Sequence, residues 1–196
     1  MPHSIRPKFA LLAWLLALLC SCTTIDRLNA PTLAGAPASS ALVLVRVEAT
    51  MFDVRGETTR QTVVGGTLQS IGDGALFHST GAAGYVVFSD LPPGAYRLWL
   101  LRTTWLDGPT ATERLYTVPQ DSSRAYDLEL RVGEPCFLGV VAVHHVQTLS
   151  VRSIEFELRD RAKAEPEAWK WFARVYASSP WAALASRAPS ATCTRR

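Results

Sequence analysis

The sequence lacks an apolar run of the ~20 residues that a membrane-spanning helix needs; its nearest approach, residues 9–19, is 11 residues long. It also lacks charge bias. Twenty basic and 17 acidic residues give a formal net charge of +3, and no basic stretch stands out. That balance is no footprint for nucleic acid or polyphosphate. There is no G-x-S-x-G, H-E-x-x-H, P-loop or G-x-G-x-x-G. Strand–helix–strand alternation is missing too, which argues against a parallel doubly wound sheet. Cysteine is scarce, and two of the four stand one residue apart at Cys20 and Cys22.

What is present begins at the amino terminus. Arg6 and Lys8, with no acidic neighbour, precede the apolar core Phe9-Ala10-Leu11-Leu12-Ala13-Trp14-Leu15-Leu16-Ala17-Leu18-Leu19. A charged start and a core of this length describe a secretory signal peptide. A Cys-x-Cys metal pair would need further ligands, and Thr23, Thr24 and Ile25 supply none. Leu19-Cys20-Ser21-Cys22 resembles the lipobox of bacterial lipoproteins, an aliphatic residue and two small ones before the acylated cysteine. That resemblance implies cleavage before Cys22, lipid attachment there, and a membrane partner reached through acyl chains rather than a span. Using Cys20 instead would put bulky Leu19 at the cut; an ordinary signal peptide cut elsewhere is the alternative. Thr23 in the next position implies, in a Gram-negative host, an outer-membrane address on the periplasmic side. Cleavage removes two of the 20 basic groups and none of the 17 acidic ones, leaving a mature net charge of +1.

The chain then divides into a signal peptide (1–21), a lipidated terminus and tether (22–41), a β-sandwich domain (42–159) and a C-terminal helical segment with tail (160–196). The tether is rich in small residues and proline without a sustained period; an ordered end packed through Ile25, Leu28 and Leu33 is the alternative. Strands follow. Residues 42–49 start apolar on both faces and then alternate; 125–132 and 154–159 alternate throughout; 136–146 is apolar on both faces and should be central. Further strands are expected near 61–68, 75–78, 84–88, 95–102 and 112–118. Many short strands between marked turns indicate a mainly β fold, an antiparallel sandwich or barrel.

Phe88-Ser89-Asp90-Leu91-Pro92-Pro93-Gly94-Ala95-Tyr96-Arg97-Leu98 resembles the F-x-x-L-P-P-G-x-Y-x-L turn of prealbumin-like and carboxypeptidase-regulatory-like sandwich domains. Pro93 suits the first corner of a type II turn and Gly94 the second, where φ must be positive. Tyr96, Leu98 and Leu100 should share a face met by Phe88 and Leu91, with Trp99 and Leu101 opposite.

After Arg159 the period changes. Glu165-Pro166-Glu167 suits a first helical turn, and Trp169, Phe172, Val175 and Tyr176 form one stripe at helical spacing. Ser179-Pro180-Trp181 reads as the cap of a second short helix through Arg187. The segment from Cys136 to Arg187, a strand pair followed by this helix and its Ser-Pro-Trp, is similar to the end of a family of uncharacterised bacterial envelope lipoproteins. The stripe is expected to cover the second apolar face of the sheet, over Trp99 and Phe137.

Candidate chemistry is sparse. His144 and His145 point to opposite faces of a strand and cannot share an ion; His78 has no acidic or cysteine neighbour at ligand spacing. Asp73, Asp90, Asp107 and Asp121 sit beside turn residues. Cys136 and Cys193 read either as a disulfide formed after export or as a buried thiol and a loose one. Trp105, near Asp107-Gly108-Pro109, is the tryptophan expected to reach a ligand. The expectation is therefore a non-enzymatic envelope protein with no metal and no cofactor. Its role is structural, scaffolding or protein-binding; the alternative is a glycan- or peptide-binding accessory module, as the carboxypeptidase-regulatory-like resemblance implies.

Overall fold

The computed structural model describes residues 30, 32–107, 110–120, 125–159 and 161–186. They form β1 (Ala41–Phe52), β2 (Thr58–Ser70), β3 (Leu76–Ala82), β4 (Tyr85–Leu91), β5 (Gly94–Asp107), β6 (Thr110–Thr117), β7 (Asp127–Leu130), β8 (Pro135–Gln147) and β9 (Arg152–Arg159). Two helices follow, α1 (Arg161–Val175) and α2 (Pro180–Ala185). Every expected strand is found. In one sheet β4, β1, β8 and β9 are neighbours; in the other β3, β2, β5 and β6, with β7 beside the first residues of β5. The result is a mainly β sandwich with two short helices packed on it.

One joint departs from the antiparallel expectation. β1 and β8 run parallel, from Leu42↔Pro135 to Phe52↔Val146. Strands so distant in sequence need no hairpin between them, and a parallel pair is stable when covered on both faces. The sequence meets that condition: the first five residues of β1 and the first nine of β8 are all buried.

Between the sheets, alternate residues Val43, Val45 and Val47 of β1 meet Phe88, Leu91, Tyr96, Leu98, Val141 and Val143. The Leu-Pro-Pro-Gly corner places Phe88, Leu91, Tyr96 and Leu98 in this core as expected. Gly94 takes a positive φ, 150°, more extended than the ~80° of a type II turn, and the Tyr96 hydroxyl donates to the Pro92 carbonyl at 2.8 Å. Further along β5 the expected phase fails. Thr67 pairs with Leu100 but Leu68 with Leu98, so Trp99 forms a bulge. The extra residue flips the face. Leu101 therefore joins Tyr96 and Leu98 in the core, while Leu100 and Trp99 are only half-buried.

On the outer side of the β4–β1–β8 sheet lies a second core. Leu42, Leu44, Tyr85, Val87 and Phe137 meet Trp169, Trp171, Phe172, Tyr176 and Trp181. Trp169 packs edge-on to Phe137 and to Phe172, and Trp171 stacks on Tyr85 with centroids 4.2 Å apart. The aromatic stripe thus covers the Phe137 strand, while Trp99 lies in the other sheet. α1 also starts a turn earlier than expected, which puts Pro166 inside it. The early start has a local cause: Glu165 is buried, pairs with Arg161 at 3.2 Å and accepts from the Trp169 indole N–H at 3.2 Å. The cap of α2 is as expected, with the Ser179 hydroxyl accepting from the Trp181 N–H at 3.2 Å and proline in the first turn.

Two hairpins interlock to join the sheets. β1 and β2 pair only near their turn, from Ala49↔Gln61 to Phe52↔Thr58, and then part into separate sheets. The tip of the β3–β4 hairpin, Ala83-Gly84, sits in that fork, where the Val47 N–H donates to the Gly84 carbonyl at 2.8 Å. β3 and β4 fork in turn beyond Gly81↔Val86. There Ser79 donates its hydroxyl to the Val87 carbonyl across the split, and the segment ahead of β1 lies alongside, with the Ala34 N–H donating to the Ser89 hydroxyl at 3.1 Å. Ala30 and Leu33 of that segment pack on the helical core.

Candidate functional site

The registers bring three turns to one end of the sandwich: those joining β1 to β2, β5 to β6, and β8 to β9. Asp53 fixes the first, its Oδ1 accepting from the Arg55 and Glu57 N–H groups at 2.9 and 3.0 Å. Thr148 fixes the third, its N–H donating to the Val151 carbonyl at 2.8 Å and its hydroxyl accepting from the Val151 N–H at 3.0 Å. These well-bonded turns carry exposed apolar side chains. Phe52 and Val54 project at the first, Leu149 and Val151 at the third, and Leu149 is 97% exposed. Single exposed apolar residues are ordinary; several gathered at one end of a domain mark an interaction surface.

Beneath this end the space between the sheets is polar. Gln61, Thr103, Tyr116 and His145 are all buried. The Thr103 hydroxyl donates to Gln61 Oε1, as does the Tyr116 hydroxyl at 2.9 Å, and His145 Nδ1 lies 3.1 Å from the Tyr116 oxygen. With its own proton committed to Gln61, Tyr116 accepts from His145 Nδ1–H. Burial pushes the His145 pKa below its ordinary value, and the positive charges of Arg114 and Arg152 add to the effect. The ring is therefore neutral, with Nε2 as an unfilled acceptor. Burial also raises the Tyr116 pKa. Gln61 Nε2, His145 Nε2 and Arg114 Nε are buried without a partner among the described residues. Nearby, Arg114 donates to Gln147 Oε1 at 3.2 Å and sits 4.9 Å over the Trp105 ring.

Trp105 is thus at the candidate end, as one of its half-buried residues, but one face of its indole is occupied by a guanidinium. His144 and His145 do face opposite ways. His144 lies 3.0 Å from the Thr50 hydroxyl on the outer side, and Arg159, which can only donate, reaches its Nε2 at 3.3 Å; its proton is therefore on Nδ1. A charged row surrounds it, with Arg159 paired to Glu48 and Glu157, and Arg46 to Glu48 and Glu167. His78 is exposed, its Nδ1 2.9 Å from the Thr67 hydroxyl. Asp73 is a turn residue, accepting from the Ala75 N–H at 3.1 Å; bonds from the Ser70 side chain and then the backbone hold its pKa below the usual range. Asp90 adopts a positive φ of 59° beside Gly35. Asp121 lies outside the described residues, as does the side chain of Asp107.

Cys136 is buried at the opposite end and takes part in a disulfide. Its partner is one of Cys20, Cys22 and Cys193, all of which lie outside the described residues. Among the described residues no group of three His, Cys, Asp or Glu side chains could hold a metal ion, and no helix is long and apolar enough to cross a membrane. The buried quartet went unrecognised in the sequence. Its signal was there: Gln61, Thr103 and His145 interrupt inward-facing positions that are otherwise apolar.

No protein-family model matches this chain, and no curated protein matches it either. Among solved structures, a leucine-rich repeat protein from Bacteroides thetaiotaomicron is similar over 58% of this chain, with a TM-score of 0.38 and 13% identity. The chain covers 15% of that protein's length.

Proposed function

We propose that this is a lipid-anchored, non-catalytic envelope protein whose sandwich binds a protein partner through the three-turn end. The observation that carries the reading is the exposed apolar set Phe52, Val54, Leu149 and Val151 on turns held by their own hydrogen bonds. Its placement agrees with an anchor at Cys22. The chain enters β1 at Ala41 and reaches this end 12 residues later, a distance of ~40 Å at the ~3.3 Å rise of a strand. The binding surface would therefore face away from the membrane to which the lipobox directs the amino terminus, the outer membrane on its periplasmic side. A glycan-binding role would use Trp105, but a sugar would have to displace Arg114 from its ring. We further propose Cys193 as the disulfide partner of Cys136, since cleavage removes Cys20 and acylation occupies Cys22.

A photo-crosslinker in place of Leu149 tests the binding role, with one in place of exposed Arg131 as control. An adduct with one envelope protein is expected from position 149 alone. Equal adducts from both, or none from 149, would sink the proposal. Intact mass measurement and peptide mapping of the same preparation should find acyl chains on Cys22 and a peptide linking Cys136 to Cys193. An unmodified terminus would remove the anchor.

A further inference from the structure

The fork between β3 and β4 leaves a cleft of about 350 Å³ at the edge of the sandwich, where the segment ahead of β1 passes. Among the described residues its lining includes Arg102, His78, Thr32, Ser79, Thr80 and Ser89, and no carboxylate. Sequence register explains how Arg102 comes to be there. Arg102, Gly65 and Thr80 are neighbours in one row across β5, β2 and β3. A Cβ on Gly65 would lie 2.6 Å from Arg102 Nη2, 3.0 Å from its Nε and 2.5 Å from the Ser79 carbonyl. The missing side chain lets the guanidinium lie across β2 towards β3. Among the described residues Arg102 Nη1 is paired with Glu113 at 3.6 Å, and that carboxylate is half-exposed. In the adjoining row Thr67 engages His78 Nδ1, leaving Nε2 as the ring nitrogen available to a ligand.

A guanidinium whose charged neighbour is the half-exposed Glu113, an imidazole, and the hydroxyls of Thr32, Thr80 and Ser89, from three strands and a crossing segment, form a donor set for an oxyanion. A planar carboxylate is satisfied by one arginine fork, whereas a tetrahedral phosphate takes donors from several directions. We infer that this cleft binds the phosphate group of a small molecule or of a lipid headgroup. The site lies apart from the three-turn end and does not depend on the function proposed for it.

The test uses the full mature chain in detergent and calorimetric titration with two probes: inorganic phosphate, and glycerophosphoglycerol, a lipid headgroup without its acyl chains. Binding of at least one probe over chloride is expected. Arg102→Gln should weaken it about tenfold or more through loss of charge-assisted bonds. Thr80→Val should weaken it several-fold, and Arg60→Gln, at the other fork, should leave it unchanged. Gly65→Ala, checked for folding by circular dichroism, should act like the Arg102 variant by lifting the guanidinium. Preference for inorganic phosphate assigns a soluble ligand, and preference for the diester assigns a headgroup. Failure of both probes to bind at millimolar concentration, or a folded Arg102→Gln protein with wild-type affinity, overturns the inference.

Discussion

β1 and β8 are the same two strands along their whole length, yet their two halves live in different surroundings. At the Ala41 end both faces are apolar: Val43 and Val45 point between the sheets, and Leu42, Leu44 and Phe137 point into the layer sealed by the helices. Toward the Phe52 end polar groups enter both faces, with Gln61, Tyr116 and His145 beside Ala49 and Met51 inside and Glu48, Thr50, His144 and Arg159 outside. Both halves bury polar atoms without partners, but of different kinds. Under the helices these are Trp171 Nε1, Tyr176 OH and Trp181 Nε1, each the single polar atom of a large ring whose burial outweighs it. In the polar half they belong to side chains with little apolar surface to repay the loss. One half stabilises the fold, and the other carries polar groups at a stability cost of roughly 1–3 kcal/mol for each one unmatched.

Substitutions should separate the halves. Trp169→Ala, in the sealed half, should lower unfolding free energy by about 3–5 kcal/mol through the cavity it leaves, read by denaturant titration. A loss of under about 1 kcal/mol would show that the helices merely rest on the sheet. Tyr116→Phe removes the link between Gln61 and His145 and should cost about 1–3 kcal/mol, while leaving near-ultraviolet tryptophan signals from the helical layer intact. Loss of those signals would mean that the two halves do not act separately.

The smallest effect is one of pH. His145 has a folded-state pKa below its unfolded value, so the unfolded chain takes up protons first as pH falls. The stability tied to the neutral ring is complete above the ordinary imidazole value of about 6.5 and is lost on acidification through the folded value. Melting temperature should therefore drop between about pH 7 and pH 5, and His145→Gln should flatten the drop. An unaltered slope in that variant would mean that His145 is not the group responsible.

The sealed half was the more legible in sequence. Doubly apolar runs at residues 42–45 and 136–143 announce strands covered on both sides, and Trp169, Phe172 and Tyr176 declare a helical stripe by spacing alone. Trp171 falls off that stripe and is buried because Tyr85, from a different strand, lies flat against it. No one-dimensional period carries such a contact. The bulge at Trp99 was hidden likewise, since it depends on how β5 meets β2. At the three-turn end Asp107-Gly108-Pro109 marks one hairpin by its turn residues, but the gathering of the three turns follows from the parallel joint between β1 and β8. The phosphate cleft was less legible still: residues 61–68 read as a strand, but only the pairing of three strands shows that the bare Gly65 position lies between Arg102 and Thr80.

The parallel joint also sets a schedule for biosynthesis. β1 is made before the other described strands, but its β8 edge stays open until residues 135–147 have been synthesised. Throughout that interval a Val- and Leu-rich strand presents unpaired backbone groups to any neighbouring chain. A protein built this way needs either shelter for its first strand while the last ones are being made, or completion of the whole domain before folding begins.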